Sequence, residues 1–119
     1  MRGTLFIGIL TVSIFAAGCS ESAQSVSIAD TGKDQVVVLK KDSGLGKVYA
    51  LSIQGHGNID GKATIMLMLN GKPYKTEHLE NKVNFEWGGD WYLDEAEIRY
   101  IPKNVSSGNI SLEYNFSEL

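Results

Sequence analysis

Ala63-Thr64-Ile65-Met66-Leu67-Met68-Leu69-Asn70-Gly71 is the stretch on which the fold turns. An uncharged run with β-branched Thr64 and Ile65 leads straight into Asn-Gly, the dipeptide that most readily takes both positive φ angles of a two-residue hairpin turn. The run is apolar on both of its faces, as a central strand covered on two sides requires. Tyr74 to Leu79 then reads as the returning strand of the hairpin.

The same period of two extends in both directions. Val36 to Lys40 is a short β-branched run, and Val48 to Gln54 alternates, with Tyr49, Leu51 and Ile53 on one face and Ala50 and Ser52 on the other. Val83, Phe85 and Trp87 alternate with Asn84 and Glu86. Ala96, Ile98 and Tyr100 alternate with Glu97 and Arg99, and Ile110, Leu112, Tyr114 and Phe116 with Ser111, Glu113 and Asn115. Between these strands, Gly55-His56-Gly57-Asn58-Ile59-Asp60-Gly61, Gly88-Gly89-Asp90 and Asn104-Val105-Ser106-Ser107-Gly108 carry the Gly, Asn and Ser of loops. No segment has a helical period. The expected fold is all-β, a single antiparallel, jelly-roll-like β-sandwich of about seven or eight strands, with a small closed β-barrel as the alternative. The sandwich is preferred because the alternating strands have one wet face each.

The chain has 119 residues and one cysteine, with 11 Lys and Arg against 14 Asp and Glu, for a formal net charge of −3. That is room for one domain, and no disulfide can close within it. A mildly acidic chain without a basic run argues against nucleic acid and against electrostatic adhesion to anionic lipid headgroups, both of which need clustered Lys and Arg.

The N-terminus reads as an address. Met1-Arg2-Gly3 is followed by an uncharged, mostly apolar run from Thr4 to Ala17, shorter than the roughly 20 residues that span a bilayer. It ends in Ala16-Ala17-Gly18-Cys19, small residues before a cysteine, the shape a signal peptidase accepts. These first residues resemble the bacterial lipoprotein signal peptide and its lipobox, with Ala16 where the family usually has Leu. The resemblance implies that residues 1–18 are removed and that Cys19 is lipidated with fatty acyl (palmitate-type) chains. It also implies a lipid-anchored place in the bacterial cell envelope. Ser20 after the cysteine fits sorting to the outer membrane, facing the periplasm or the exterior. Residues 19–25 are polar and small and read as a flexible tether, leaving 26–119 as the β-domain. Within that domain, Trp91-Tyr92, Glu97-Ile98-Arg99-Tyr100, Ser107-Gly108-Asn109-Ile110 and Tyr114-Asn115-Phe116 resemble, over about half of the chain, small β-sandwich lipoproteins of bacteria that carry no catalytic motif.

The richest local chemistry is Glu86-Trp87-Gly88-Gly89-Asp90-Trp91-Tyr92-Leu93-Asp94-Glu95, which holds both tryptophans among several carboxylates. A flat indole beside fixed acceptors suits a sugar ring, so Asp90, Trp91, Tyr92 and Asp94 are the candidate ligand-binding residues. The plainer reading makes Trp87 core and has Trp91 and Tyr92 cap one end of the sandwich. Asp90, Asp94 and Glu95 lack the spacing of a calcium loop, and His56 and His78 have no zinc spacing, so neither metal nor cofactor is expected. Glu97 and Arg99 share a strand face and are expected to pair across strands with Glu113. The Gly55-Gly57-Gly61 spacing misses the dinucleotide fingerprint, and no Gly-x-Ser-x-Gly elbow occurs. No nucleophile, base and orienting group fall together, so a non-catalytic role is expected. Two functions fit: a module that binds another envelope protein through an edge strand or loop end, or a glycan-binding module using the Trp91/Tyr92 loop.

Overall fold

The computed structural model describes residues 23–42, 44 and 46–119, so the lipobox and Cys19 lie outside the described residues. Six strands are described: β1 (Gln24–Ser27), β2 (Gln35–Lys40), β3 (Val48–Leu69), β4 (Lys72–Asp90), β5 (Glu95–Pro102) and β6 (Gly108–Glu118). All of their pairings are antiparallel.

The hairpin that starts from Ala63–Gly71 is the spine of the molecule. Asn70 and Gly71 turn it with φ of 55° and 78°, the two positive values that this dipeptide tolerates. Its arms are long, 22 residues in β3 and 19 in β4. On the other edge of β3, Val48 to Ile59 pairs with β6, and Ala63 to Met68 pairs with β5. The sheet therefore divides into a β1-β6-β3-β4 half and a β2-β5-β3-β4 half, with the hairpin running through both. The inward faces of both halves feed one hydrophobic cluster, from Ile53, Trp87 and Leu112 on one side to Ile65, Ile98 and Tyr100 on the other. The result is an all-β, curled antiparallel sheet whose two halves form the layers of the jelly-roll-like sandwich.

The expected loop at Gly55–Gly61 is not a loop. It lies wholly within β3, and Gly88-Gly89-Asp90 likewise lies within β4, whose turn comes later, at residues 91–94. At Gly55–Gly61 the glycines permit a bend within a strand. Between Asn58↔Lys82 and Lys62↔Glu80 the register slips, so Ile59, Asp60 and Gly61 face Asn81 alone. Such an excess on one strand kinks it and lets the sheet curl. Gly61 has φ 139°, and a Cβ there would drive into the Asn104 carbonyl oxygen. The 103–107 connection is bonded across the bend: Asp60 N donates to Ser107 O at 2.8 Å, and Ser106 Oγ donates to Asp60 Oδ2 at 2.9 Å. Gly55 makes room for the ring of Phe85 opposite it, where a Cβ would collide.

Three further expectations are corrected. β1 begins at Gln24, paired with Tyr114, so the last two residues assigned to the tether belong to the domain. A strand gains more from ladder hydrogen bonds and from Val26, packed on the core, than a free tether would keep in entropy. The two faces of Ala63 to Leu69 are not equally covered: Ala63, Ile65 and Leu67 are buried in the core, while on the outer face Thr64 and Met66 are half-buried and Met68 alone is buried. Arg99 Nε donates to Glu97 Oε2 of its own strand at 2.8 Å, whereas Glu113 sits opposite Gln54 and Ser25 in the other half of the sheet.

The open end of the curl below the bend is closed by polar contacts. Tyr100, fully buried, donates its hydroxyl to the Thr31 carbonyl at 2.7 Å, and Thr31 Oγ1 donates to Gly108 O at 3.3 Å. Burial, and secondarily the nearby Asp30, pushes the Tyr100 phenol above its ordinary value of 10.0.

Candidate functional site

The aromatic loop was the leading candidate, and its geometry follows from strand alternation. Val83, Phe85 and Trp87 point inward along β4, with Trp87 opposite Ile53 and tilted against Phe85 at a ring-centroid distance of 4.7 Å. After Asp90 the chain turns, and Trp91 N donates to Tyr49 O at 3.2 Å. This bond holds the residue against the start of β3, with the indole turned into the core. Trp91 is only 4% exposed, while its neighbour Tyr92 is 71% exposed. The Trp91 ring packs beside Tyr74 at 6.2 Å, and its Nε1 donates to Glu95 O at 3.1 Å. The polar edge of the indole is thus satisfied inside the protein, which removes the usual cost of burying it.

The stacking platform expected of Trp91 and Tyr92 is therefore absent. One ring is core and the other stands alone in solvent. The crevice beside Trp91, lined also by Leu51, Trp87, Gly89 and Asp90, offers about 10 Å³, room for a single water and not for a sugar ring. Asp90, exposed, sits at its lip opposite Ala50.

Asp94 belongs to a different group, which sequence reasoning missed. Its Oδ1 lies 3.9 Å from Lys41 Nζ, and Glu118 Oε1 lies 3.8 Å from the same ammonium. Lys41 Nζ also donates to the Gly46 carbonyl at 2.8 Å, and Glu118 Oε1 accepts from Gly46 N at 2.9 Å. Lys41, 15% exposed, acts as a strut that ties the β2–β3 connection to the end of β6 and to the β4–β5 turn. Its contacts join three segments distant in sequence, the role of a structural tie. The nearby Lys40 and Asp42 gave no signal that Lys41 would turn inward, because the alternation of β2 ends there. Among the described residues no three of His, Cys, Asp and Glu converge as a metal site.

Exposed apolar side chains occur in both halves of the sheet: Tyr49, Tyr74 and Leu93 lie around the aromatic turn, and two valines stand together on the β2 edge. Val36 is 58% and Val38 45% exposed on β2, which pairs with β5 on one side and ends the sheet on the other. Beside them on the same face are Arg99 and Glu97, then the half-buried Met66 and the buried Met68 of β3. The signal for this surface was in the run Gln35-Val36-Val37-Val38-Leu39, three consecutive valines where an amphipathic strand would alternate.

The comparisons with known proteins concern architecture alone. No protein-family model matches the chain, and no curated protein matches it. Among solved structures, the Yersinia pseudotuberculosis-derived mitogen is similar with a TM-score of 0.42 and 14% identity, over 81% of this chain and 85% of that one. A de novo designed double-stranded β-helix is similar with a TM-score of 0.39 and 14% identity, over 82% of this chain and all of the design. The coat protein of Tobacco streak virus has a TM-score of 0.38 and 13% identity, over 86% and 92% of the two chains. At these identities nothing about function carries over.

Proposed function

We propose that this protein is a non-catalytic protein-binding module of the bacterial cell envelope, anchored through lipid on Cys19 and engaging its partner by strand addition at the β2 edge. One observation carries the binding half of this reading: β2 ends the sheet with Val36 and Val38 exposed, while the aromatic loop that competed for the role has its indole in the core. An unpaired edge offers a row of backbone donors and acceptors, and flanking apolar side chains add affinity to the main-chain bonds. The anchoring half rests on the lipobox, Ala16-Ala17-Gly18-Cys19. Two or three acyl chains hold a domain at a membrane durably, at about 0.8 kcal/mol per buried CH₂.

The two halves are tested separately. Cys19→Ser should release the protein from the membrane fraction, and a variant that fractionates like the parent would end the lipoprotein assignment. For binding, the full chain is affinity-captured from detergent-solubilised envelopes beside a Val36→Lys/Val38→Glu variant. Stoichiometric capture of a protein by the parent and its loss in the variant is the expected result. Equal capture by both would move the binding surface off β2.

A further inference from the structure

We infer that the first partner of the β2 edge is a second copy of this chain, paired antiparallel about Val37 to give a two-fold dimer. The inference rests on the edge-binding reading above and adds the identity of the occupant.

The edges of the sheet are not equally protected. β1 spans only Gln24–Ser27 and is mostly polar. Along Lys72–Asn81, β4 is guarded by Pro73, by a register slip at Tyr74, by Lys75 and Glu77 on its inward face, and by the bend at Asn81; beyond it, Val83–Asp90 pairs in continuous register and carries Gly88 and Gly89 near its end. Bulges, prolines and inward charges are the devices that keep a strand from pairing with a stranger. β2 has none of them. Its register with β5 is continuous from Gln35↔Tyr100 to Lys40↔Glu95, and its inward residues Val37 and Leu39 are apolar.

The outward face of β2 with the residue before it reads Asp34, Val36, Val38, Lys40, all exposed. This pattern is its own complement. In an antiparallel pair about a two-fold axis normal to the sheet, both copies show the same face on the same side. With Val37 opposite Val37, Val36 falls opposite Val38 of the second copy, and Asp34 falls opposite its Lys40. The symmetry repeats each contact, so two valine pairs are bracketed by two opposite-charge pairs. Shifting the pairing by one residue along each strand, to centre on Val38, sets Val36 against Lys40 and loses both ion pairs. Charge therefore selects the register, and an anchored protein meets its copies at the raised effective concentration of a surface.

The test uses the full chain in the envelope, expressed as two differently tagged copies. Val36→Cys in one copy and Val38→Cys in the other should form an intermolecular disulfide on oxidation. Two copies of Val36→Cys, or two of Val38→Cys, should not, because diagonal neighbours lie about 7–8 Å apart, beyond disulfide reach. A chain without an added cysteine sets the background from Cys19. Lys40→Asp in both copies should reduce the unlike cross-link about tenfold, and adding Asp34→Lys to both copies should restore it, since the exchanged charges again face their complements. Like pairs that cross-link as readily as unlike ones, or a Lys40→Asp loss that Asp34→Lys does not restore, would overturn the dimer. If the added thiols join only a different protein, the second copy is ruled out and edge binding stands. If they join nothing, both readings fail.

Discussion

The stretch from Glu86 to Glu95 and the strand from Gln35 to Lys40 make opposite use of their sequences. The first concentrates tryptophan, tyrosine and carboxylate and reads as a site, yet its indoles are inside, one against Phe85 and the other bonded to the Glu95 carbonyl. The second is a plain β-branched run with no chemistry to mark it, yet two of its side chains face solvent at an open edge. Chemical richness is a poor guide to exposure in a small β-protein. Aromatic side chains bring large apolar area, and a domain of this size needs that area for its core. What a sheet leaves open is decided by which strand ends it, and that is a property of topology.

This contrast breaks most decisively at Trp91. Trp91→Ala should cost about 3–5 kcal/mol, read as a lowered midpoint in urea, because it removes a large, almost fully buried side chain from the core. If the variant folds as firmly as the parent, the indole is not core and the aromatic loop regains its claim as a site. Fluorescence provides an independent check: both tryptophans should emit to the blue and resist iodide.

The contrast also depends on the bend that turns the two halves of the sheet onto each other. Gly61→Ala should cost about 1–3 kcal/mol or more through its positive φ, with the Asn104 carbonyl blocking the new methyl. Gly71→Ala, at a positive φ with open space around it, should cost less. Comparing their thermal midpoints separates the clash at the bend from backbone conformation alone.

Tyr100 sharpens the comparison from the side of the β2 half. Tyr100→Phe leaves the Thr31 carbonyl without its buried donor and should cost about 1–3 kcal/mol. Because the folded state holds the phenolic proton more tightly than the unfolded chain does, the stability linked to it is complete below pH 10.0 and is lost as pH rises through the higher folded value. Urea midpoints measured on either side of pH 10.0 should fall more steeply for the parent than for Tyr100→Phe.

The smallest effects are expected at the exposed residues. Tyr92→Ser and Val36→Thr should each change stability by less than about 0.5 kcal/mol. Their effects on capture should differ: Val36→Thr should weaken it and Tyr92→Ser should not.

Most strands were legible from alternation, because a residue's side of the sheet follows from counting by two. The turn at Asn70-Gly71 was legible from its two positive φ angles. The continuity of β3 and β4 was not, since glycines that punctuate a turn and glycines that ease a bend look alike until the opposing strand is known. Gly55 reveals its role only when Phe85 lies across from it, and Gly61 only beside Asn104. Of the candidate site, Asp90 and Tyr92 are exposed, which their sequence neighbourhood alone did not decide. Trp91 was open to either reading, because the Glu95 carbonyl that satisfies its N–H can be found only once the turn is built.

The sequence by itself determined an all-β chain, the side of the sheet that most strand residues face and the tight hairpin at Asn70-Gly71. These are local properties, set by side-chain period and by backbone conformations within a few residues. Only the tertiary structure decided that the hairpin bends through two half-sheets, that Lys41 is held by Asp94 and Glu118, and that β2 ends the sheet with its valines uncovered. Each of these depends on strands far apart in the chain coming together, and the order in which they pair is not written in any one of them.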